Sequence, residues 1–354
     1  MNKIINILKE KKSIPLDKFI DLALYDKKNG YYMNNNPLGK DGDFITAPLI
    51  SNLFSEMLAI WCVAYWEKLG KPKKILLVEL GPGDGTLCKD LLKTFAKFDK
   101  FYNALEINLL EISNKLKEIQ KTNIKSRKVK WINKINEINS GPVIFLANEF
   151  FDALPIKQIY ENKKILFEKH ISLKKDKKKM KFLYKKASNN LIKDIKNLNL
   201  ISTGNTIEYP ISAIKFLKII SKKINKFKGG LLTFDYGYTS KKNYFTLQSL
   251  KKHKYSNVLE FPGNADITSH INFNLFRKVL IKNNLRVQKI ITQSKFLKKI
   301  GILERANILS KKMTFKEKAN MFYRLKRLLN HNEMGNLFKV MFAQNKNYNF
   351  SLGF

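Results

Sequence analysis

Asn148-Glu149-Phe150-Phe151-Asp152 sets two carboxylates three residues apart among aromatic side chains, directly after an apolar run. Paired carboxylates suit a guanidinium nucleophile, because they can bind its fork bidentately and concentrate electron density on one nitrogen. Methyl transfer from a sulfonium to such a nitrogen needs in-line alignment and exclusion of water. The structural alternative is that Glu149 and Asp152 cap a loop or pair with nearby cations. A second cluster, Leu76-Leu77-Val78-Glu79-Leu80-Gly81-Pro82-Gly83-Asp84-Gly85-Thr86, runs a β-type apolar stretch into an acid and a glycine turn. Gly81, Gly83 and Gly85 allow close backbone approach and expose amide N–H groups to a carboxylate, while Glu79 could accept from an ammonium group. A dinucleotide fingerprint places two residues between its second and third glycines. Here there is one, and the GxGxG spacing with Glu79 favours S-adenosylmethionine. Glu111 lies 26 residues after Gly85, at the end of the next expected strand. An acid there can accept both ribose hydroxyls of an adenosine, or else cap the helix that starts beyond Ser113.

These residues need a frame that brings strand ends together. An N-cap at Ser13 with Pro15 and Asp17 predicts a helix to about Tyr25. A Gly- and Asn-rich loop spans Asn29 to Asp43. Apolar residues at helical spacing predict one long helix from about Pro48 to Leu69. Strands and helices then alternate, with strands at Ile75–Leu80, Ile107–Leu110, Val129–Ile132 and Pro142–Ala147 and helices over Thr86–Phe98 and Ser113–Gln120. That alternation argues for a parallel sheet with crossover helices. Alternating residues from Gln158 to about Lys186 read as an inserted hairpin or meander around a lysine-rich turn. A helix over Ser212–Phe227, a strand at Leu231–Phe234, and a long loop from Thr239 to Asp266 follow. The loop has the length of a functional lid. The C-terminal part offers a helix over Asn274–Lys282 and strands near Val287–Gln293 and Phe338–Gln344, with a helical segment between them. The expected fold is α/β, a doubly wound class I methyltransferase (Rossmann-like) sheet with an N-terminal helical extension. The expected division is 1–70 as a helical cap and 71–354 as the sheet domain, with insertions at about 158–205 and 239–270.

The 354 residues, 44% apolar, suffice for a large core. No apolar run reaches the roughly 18 residues of a membrane helix. Met1-Asn2-Lys3-Ile4-Ile5 has a basic start but neither a sustained apolar stretch nor a small-residue cleavage site, the pattern of a cytoplasmic chain without a signal or transit peptide. Cys62 and Cys88 sit in expected helices as reduced thiols, and they and the four histidines show no metal-ligand spacing, so no metal is expected. The net charge of +38 invites a nucleic-acid reading. However, arginine occurs six times and lysine 61 times, spread through every surface turn, as in an AT-rich coding sequence. Base recognition and phosphate clamping favour arginine, so nucleic acid is not an expected partner.

Several motifs in order give the chain a resemblance to a known family. They are Gly42-Asp43-Phe44-Ile45-Thr46-Ala47-Pro48, the VELGPGDGT segment, Glu111-Ile112-Ser113 and ANEFFDALP from Ala147 to Pro155. Asp235-Tyr236-Gly237-Tyr238, Ala265-Asp266-Ile267-Thr268-Ser269-His270 and Met334-Gly335-Asn336-Leu337-Phe338-Lys339-Val340 extend the match. The chain resembles the MidA-type methyltransferases, relatives of the mitochondrial arginine methyltransferase that assists respiratory complex I assembly. The resemblance implies S-adenosylmethionine as cofactor, a protein acceptor, and symmetric dimethylation of an arginine in a complex I core subunit. It implies that Glu79, Gly81, Gly83 and Gly85 hold the methionine end and Glu111 the ribose, with Asn148 beside them. Glu149 and Asp152 are expected to orient the acceptor guanidinium, and Asp43 and Thr46, on the N-terminal loop, to close over cofactor or substrate. Two positions depart from the pattern, with Asp84 where arginine is common and Leu49 where glutamate is common. The alternatives are an RNA methyltransferase, whose Asn-Pro-Pro-aromatic motif is absent, and a non-catalytic assembly chaperone retaining the pocket. The sequence sets no oligomeric state; a homodimer stays open.

Overall fold

The structure, a computed structural model, describes residues 2–34, 46–176, 179–200, 206–240, 244–252 and 254–354. Asp43 and most of the GDFITAP motif lie outside the described residues. Ile75–Leu80 is buried at all six positions, and Val143–Asn148 and Gly229–Tyr238 are nearly so. Continuous β-branched and aliphatic runs of this kind form strands covered on both faces, as parallel sheets are. Numbered in chain order as Ile75–Leu80, Leu105–Leu110, Val129–Ile132, Val143–Asn148, Gly229–Tyr238, Leu285–Val287 and Phe338–Asn345, the strands lie in the order 6-7-5-4-1-2-3. Pairing is parallel except where Phe338–Asn345 meets its neighbours. The strand order reverses between the first and fourth strands, which is where open α/β sheets form a ligand crevice.

Helices cover both faces. Asn52–Lys68 is apolar almost all round; Leu53 and Met57 are buried, and Trp61 and Tyr65 pack against Phe342 and Phe350. A helix without a polar face must be interior. Ile211–Phe227 and Phe273–Lys282 cover the opposite face. The expected Pro48–Leu69 helix is broken: Ala47–Ile50 ends at Ser51, whose hydroxyl accepts from the Leu53 N–H and caps a new helix. Ser13 is not an N-cap; Ser13–Pro15 is a short strand, and the helix Leu16–Tyr25 starts behind Pro15. The fixed proline φ suits both an edge strand and a helix entry. The helix after the glycine turn stops at Phe95, and a further short helix, Asp99–Ala104, precedes the next strand.

The insertion is an antiparallel meander, Lys157–Asn162, Ile165–Leu173 and Met180–Lys186, joined by Thr206–Tyr209. Ser13–Pro15 pairs with Ile165–Leu173, so the N-terminal segment and the insertion share one sheet. Lys157 fastens them further, its ammonium held between Asp17, at 2.8 Å, and Glu168. The expected lid from Thr239 to Asp266 is more ordered than its composition implied. Gln248–Lys251, Lys254–Ser256 and Asp266–Thr268 form a small antiparallel sheet. Burial of Ile267 against the N-terminal helices supplies the order that local propensity lacks. The strand expected near Val287–Gln293 is two short pieces, Leu285–Val287 and Ile291–Thr292.

Two glycine substitutions separate backbone strain from steric exclusion. Gly229 has φ 108°, and an added Cβ would lie 1.9 Å from the Val143 carbonyl oxygen of the adjacent strand. Gly70 has φ 89° with nothing within 4 Å of that position. Gly70→Ala should cost about 1 kcal/mol, while Gly229→Ala should cost more than about 3 kcal/mol because backbone must move. Urea unfolding of both variants tests the ranking.

Candidate active site

A cavity of about 560 Å³ opens at the reversal point, within the size range of cofactor pockets. Glu79, Gly81, Gly83, Glu111, Asn148, Glu149, Asp152 and Thr46 all line it. Gly85 does not. Its φ of 85° places it as the N-cap of the helix Thr86–Phe95, and a Cβ there would meet Ile124 Cδ1 at 2.7 Å. Gly81 and Gly83 also have positive φ, 63° and 58°, and Phe150 packs directly over Gly81. Asp84 turns back, its carboxylate accepting from the Thr86 N–H and hydroxyl at 2.9 Å. It therefore completes the turn as a cap, which an arginine could not do. Leu49 is not among the described lining residues; its neighbours Thr46 and Pro48 are.

The Glu79 carboxylate is 3% exposed and its Oε2 has no hydrogen-bond partner. Burial, with Asp84 adding repulsion, pushes its pKa up to about 8. A buried, unpartnered acid lining a cavity fits a group that arrives with a positive charge. Glu111 combines the two roles the sequence left open. Its Oε1 accepts from the Ser113 N–H at 2.7 Å and its Oε2 from Gln120 at 3.2 Å, while the side chain lines the cavity. Gln120 also donates to the Gly83 carbonyl at 2.7 Å and accepts from Trp131, so it ties the acid to the glycine turn. Next to Glu111, Ile112 leaves 47% of its surface exposed at the cavity wall, with Asn133 nearby. An ammonium acceptor, a hydroxyl acceptor and an apolar shelf in this succession fit S-adenosylmethionine along its length.

Beyond the glycine turn the chain turns sharply at Glu149, whose φ is 52°. The buried Asp235 shapes this turn. Its Oδ2 accepts from the Phe151 and Asp152 backbone N–H groups at 3.0 and 3.3 Å. The Glu149 carboxylate accepts from Asn148 at 3.2 Å, and burial pushes its pKa up to about 8, with the Asp152 charge adding to the rise. Asp152 Oδ2 accepts from the Tyr236 hydroxyl at 2.5 Å, while Oδ1 has no partner. Asp152 and Asp235 are both pushed up, chiefly by burial. Tyr32 donates to Asp266 at 2.7 Å, Tyr25 donates to the Ala153 carbonyl at 3.0 Å, and the two rings stack at the cavity. Sequence reasoning gave no role to Gln120, Asp235, Tyr236, Tyr25, Tyr32 or Asp266. For Asp235 and Tyr236 the end of an expected sheet strand was the available signal. The lining holds Asp21, Glu79, Asp84, Glu111, Glu149, Asp152 and Asp266 against one described base, Lys134, in a chain of net charge +38. No cluster of metal-ligating residues occurs among the described residues.

This sheet order and an acid-flanked glycine turn at the reversal point define a class I methyltransferase. A family model described as "Putative S-adenosyl-L-methionine-dependent methyltransferase" matches residues 57–291. The chain is 31% identical to a mitochondrial protein arginine methyltransferase, NDUFAF7, of Xenopus laevis, over 96% of this chain and 83% of that one. It is 29% identical to the human protein of the same name over 84% of this chain and 72% of the relative. A Burkholderia thailandensis protein crystallised with bound S-adenosyl-homocysteine has the same fold, with a TM-score of 0.84 at 22% identity, covering 98% and 92% of the two chains. The chain belongs to this family of S-adenosylmethionine-dependent methyltransferases.

The Glu79 environment sets a pH signature. Below pH 8 the carboxyl is protonated in the free protein, and an arriving ammonium requires it ionised. S-adenosylmethionine affinity measured by calorimetry should therefore rise from pH 6 to 8, by up to about tenfold per pH unit. Because the folded pKa is raised, the associated stability is present below the unfolded value and is lost as pH rises through about 8. Glu79→Gln should flatten the affinity profile and weaken binding about tenfold or more. It should also melt higher than wild type at pH 9.

Proposed function

We propose that the chain is a protein arginine N-methyltransferase. The observation behind this reading is the buried acid pair, Glu149 and Asp152, in a cavity whose described charged lining residues are all acidic but Lys134. Burial disfavours the ionised form of both, and both would ionise beside a guanidinium, whose planar fork matches two carboxylates. The bound cofactor supplies an electrophilic methyl group on sulfur. The protein's part is to bind, orient and take a proton. Glu149 and Asp152 hold the guanidinium N–H groups, draw its positive charge away from one nitrogen, and offer a carboxylate to receive the proton that nitrogen sheds. Tyr236 fixes Asp152 through its hydroxyl, and Phe150 and the stacked Tyr25 and Tyr32 exclude water. Cavity lining by Thr46 supports its part in closing over the ligands, alongside Asp43. The relatives' name supports arginine methylation, and the resemblance extends the proposal to symmetric dimethylation of a respiratory complex I core subunit.

Incubation of the purified protein with methyl-labelled S-adenosylmethionine and a cell lysate, followed by mass spectrometry, tests the acceptor. Label on the guanidinium nitrogens of a protein arginine is expected. Label on RNA, or cofactor binding with no acceptor in any fraction, would reject the reading. Glu149→Gln should lower kcat by about a hundredfold or more while cofactor affinity stays within about threefold; equal turnover excludes the role given to Glu149. Tyr236→Phe removes a hydrogen bond that lowers the Asp152 pKa. The acid limb of the kcat/KM profile should accordingly move to higher pH in this variant.

A further inference from the structure

One surface feature plays no part in the site. The helix Phe315–Leu329 packs on the body through Leu325 and Leu328, but residues 314–320 are exposed throughout. Phe315 is 88% exposed, Tyr323 66% and Phe322 37%. With Ala319 these residues fall within an arc of about 100° around the helix, a continuous apolar stripe beside the packed face. Between Lys311 and Arg327 the chain holds seven basic residues and one acid, Glu317. Glu317 is turned back on Thr314 in a capping box, so its charge is spent at the helix start. Lysine is abundant over the whole surface; what distinguishes this helix is the coincidence of a dense basic border with three outward aromatics.

We infer that this helix is a docking face for an anionic lipid surface. Aromatic rings at headgroup depth, bordered by lysines whose long stems let the ammonium reach phosphate, are the pattern of a helix lying in a membrane interface. No described helix is long and apolar enough to cross a membrane, so the contact would be peripheral. The helix packs against Ala47–Ile50, whose Pro48, with the preceding Thr46, lines the active-site cavity. A chain held by this face would therefore lie on the lipid with one wall of its cavity a single helix away from the contact.

Co-sedimentation of the whole protein with phosphatidylcholine vesicles, with and without phosphatidylglycerol, tests this. Binding to the phosphatidylglycerol vesicles and little to the neutral ones is expected. The double variant Phe315→Asp/Tyr323→Asp, at exposed positions, should reduce binding at least about tenfold, with far-ultraviolet circular dichroism unchanged. Lys316→Glu/Lys318→Glu should weaken it more than Lys193→Glu/Lys196→Glu, a charge-matched change on the exposed face of the helix Asn189–Asn197. Equal weakening by the two pairs would mean that diffuse charge acts and not this face, which overturns the proposal. So would absence of vesicle binding, and so would a dimer in sedimentation velocity that Phe315→Asp/Tyr323→Asp dissociates, since a second copy would then cover the stripe.

Discussion

The active-site wall depends on one buried carboxylate. Asp235 is fully buried at the end of the Gly229–Tyr238 strand and accepts from the backbone N–H groups of Phe151, Asp152 and Tyr236. Where the Val143–Asn148 strand leaves the sheet, its N–H groups lose their ladder partners, and buried N–H groups must be satisfied elsewhere. Asp235 satisfies two of them from the adjacent strand. The Glu149 N–H still bonds to the Phe234 carbonyl at 2.9 Å, so the turn is fixed on both sides of that residue. With both sides held, Glu149 sits in the left-handed region and its carboxylate lines the cavity. Strain of this kind persists where the surroundings over-determine it.

The same anchoring concentrates negative charge. Glu149 and Asp152 line the cavity with Asp235 buried behind them; the Asp152 charge raises the proton affinity of Glu149, and both raise that of Asp235. In low dielectric such like charges are costly side by side, and a cation between them would relieve that cost. The protein as a whole carries the opposite charge, +38. Long-range steering would repel a basic peptide, and that repulsion is screened beyond about 8–10 Å at physiological salt. Recognition of the proposed cationic acceptor would therefore rest on short-range hydrogen bonds within the cavity.

The cavity is also assembled from far apart in the chain. Tyr25 and Tyr32 come from the N-terminal helices, Tyr236 from a strand end, and Asp266 from the small sheet that replaces the expected lid. Lys157, held by Asp17 and Glu168, keeps the N-terminal helix Leu16–Tyr25 on the inserted sheet and so keeps Tyr25 over the cavity. Elements that read as additions to the sheet in the sequence thus build one side of the site. Their order depends on burial against each other, which local composition does not encode.

By itself the sequence determined the parallel sheet and the location of its crevice. Continuous apolar runs have few ways to be buried, and glycines at Gly81, Gly83 and Gly85 mark positive φ wherever the chain folds. It also indicated Glu79, Glu111, Glu149 and Asp152, because acids at the ends of buried strands have little reason to be there except function. It could not divide labour among the glycines, two of which line the cavity while Gly85 starts a helix. Nor could it break the long helix at Ser51, where a capping hydroxyl outweighs a continuous apolar pattern. The roles of Asp235, Tyr236 and Gln120 were decided by tertiary structure alone. Asp235 and Tyr236 act on groups 84 residues away and Gln120 on the Gly83 carbonyl 37 away, and hydrogen bonds between such distant segments leave no periodicity or spacing in the chain.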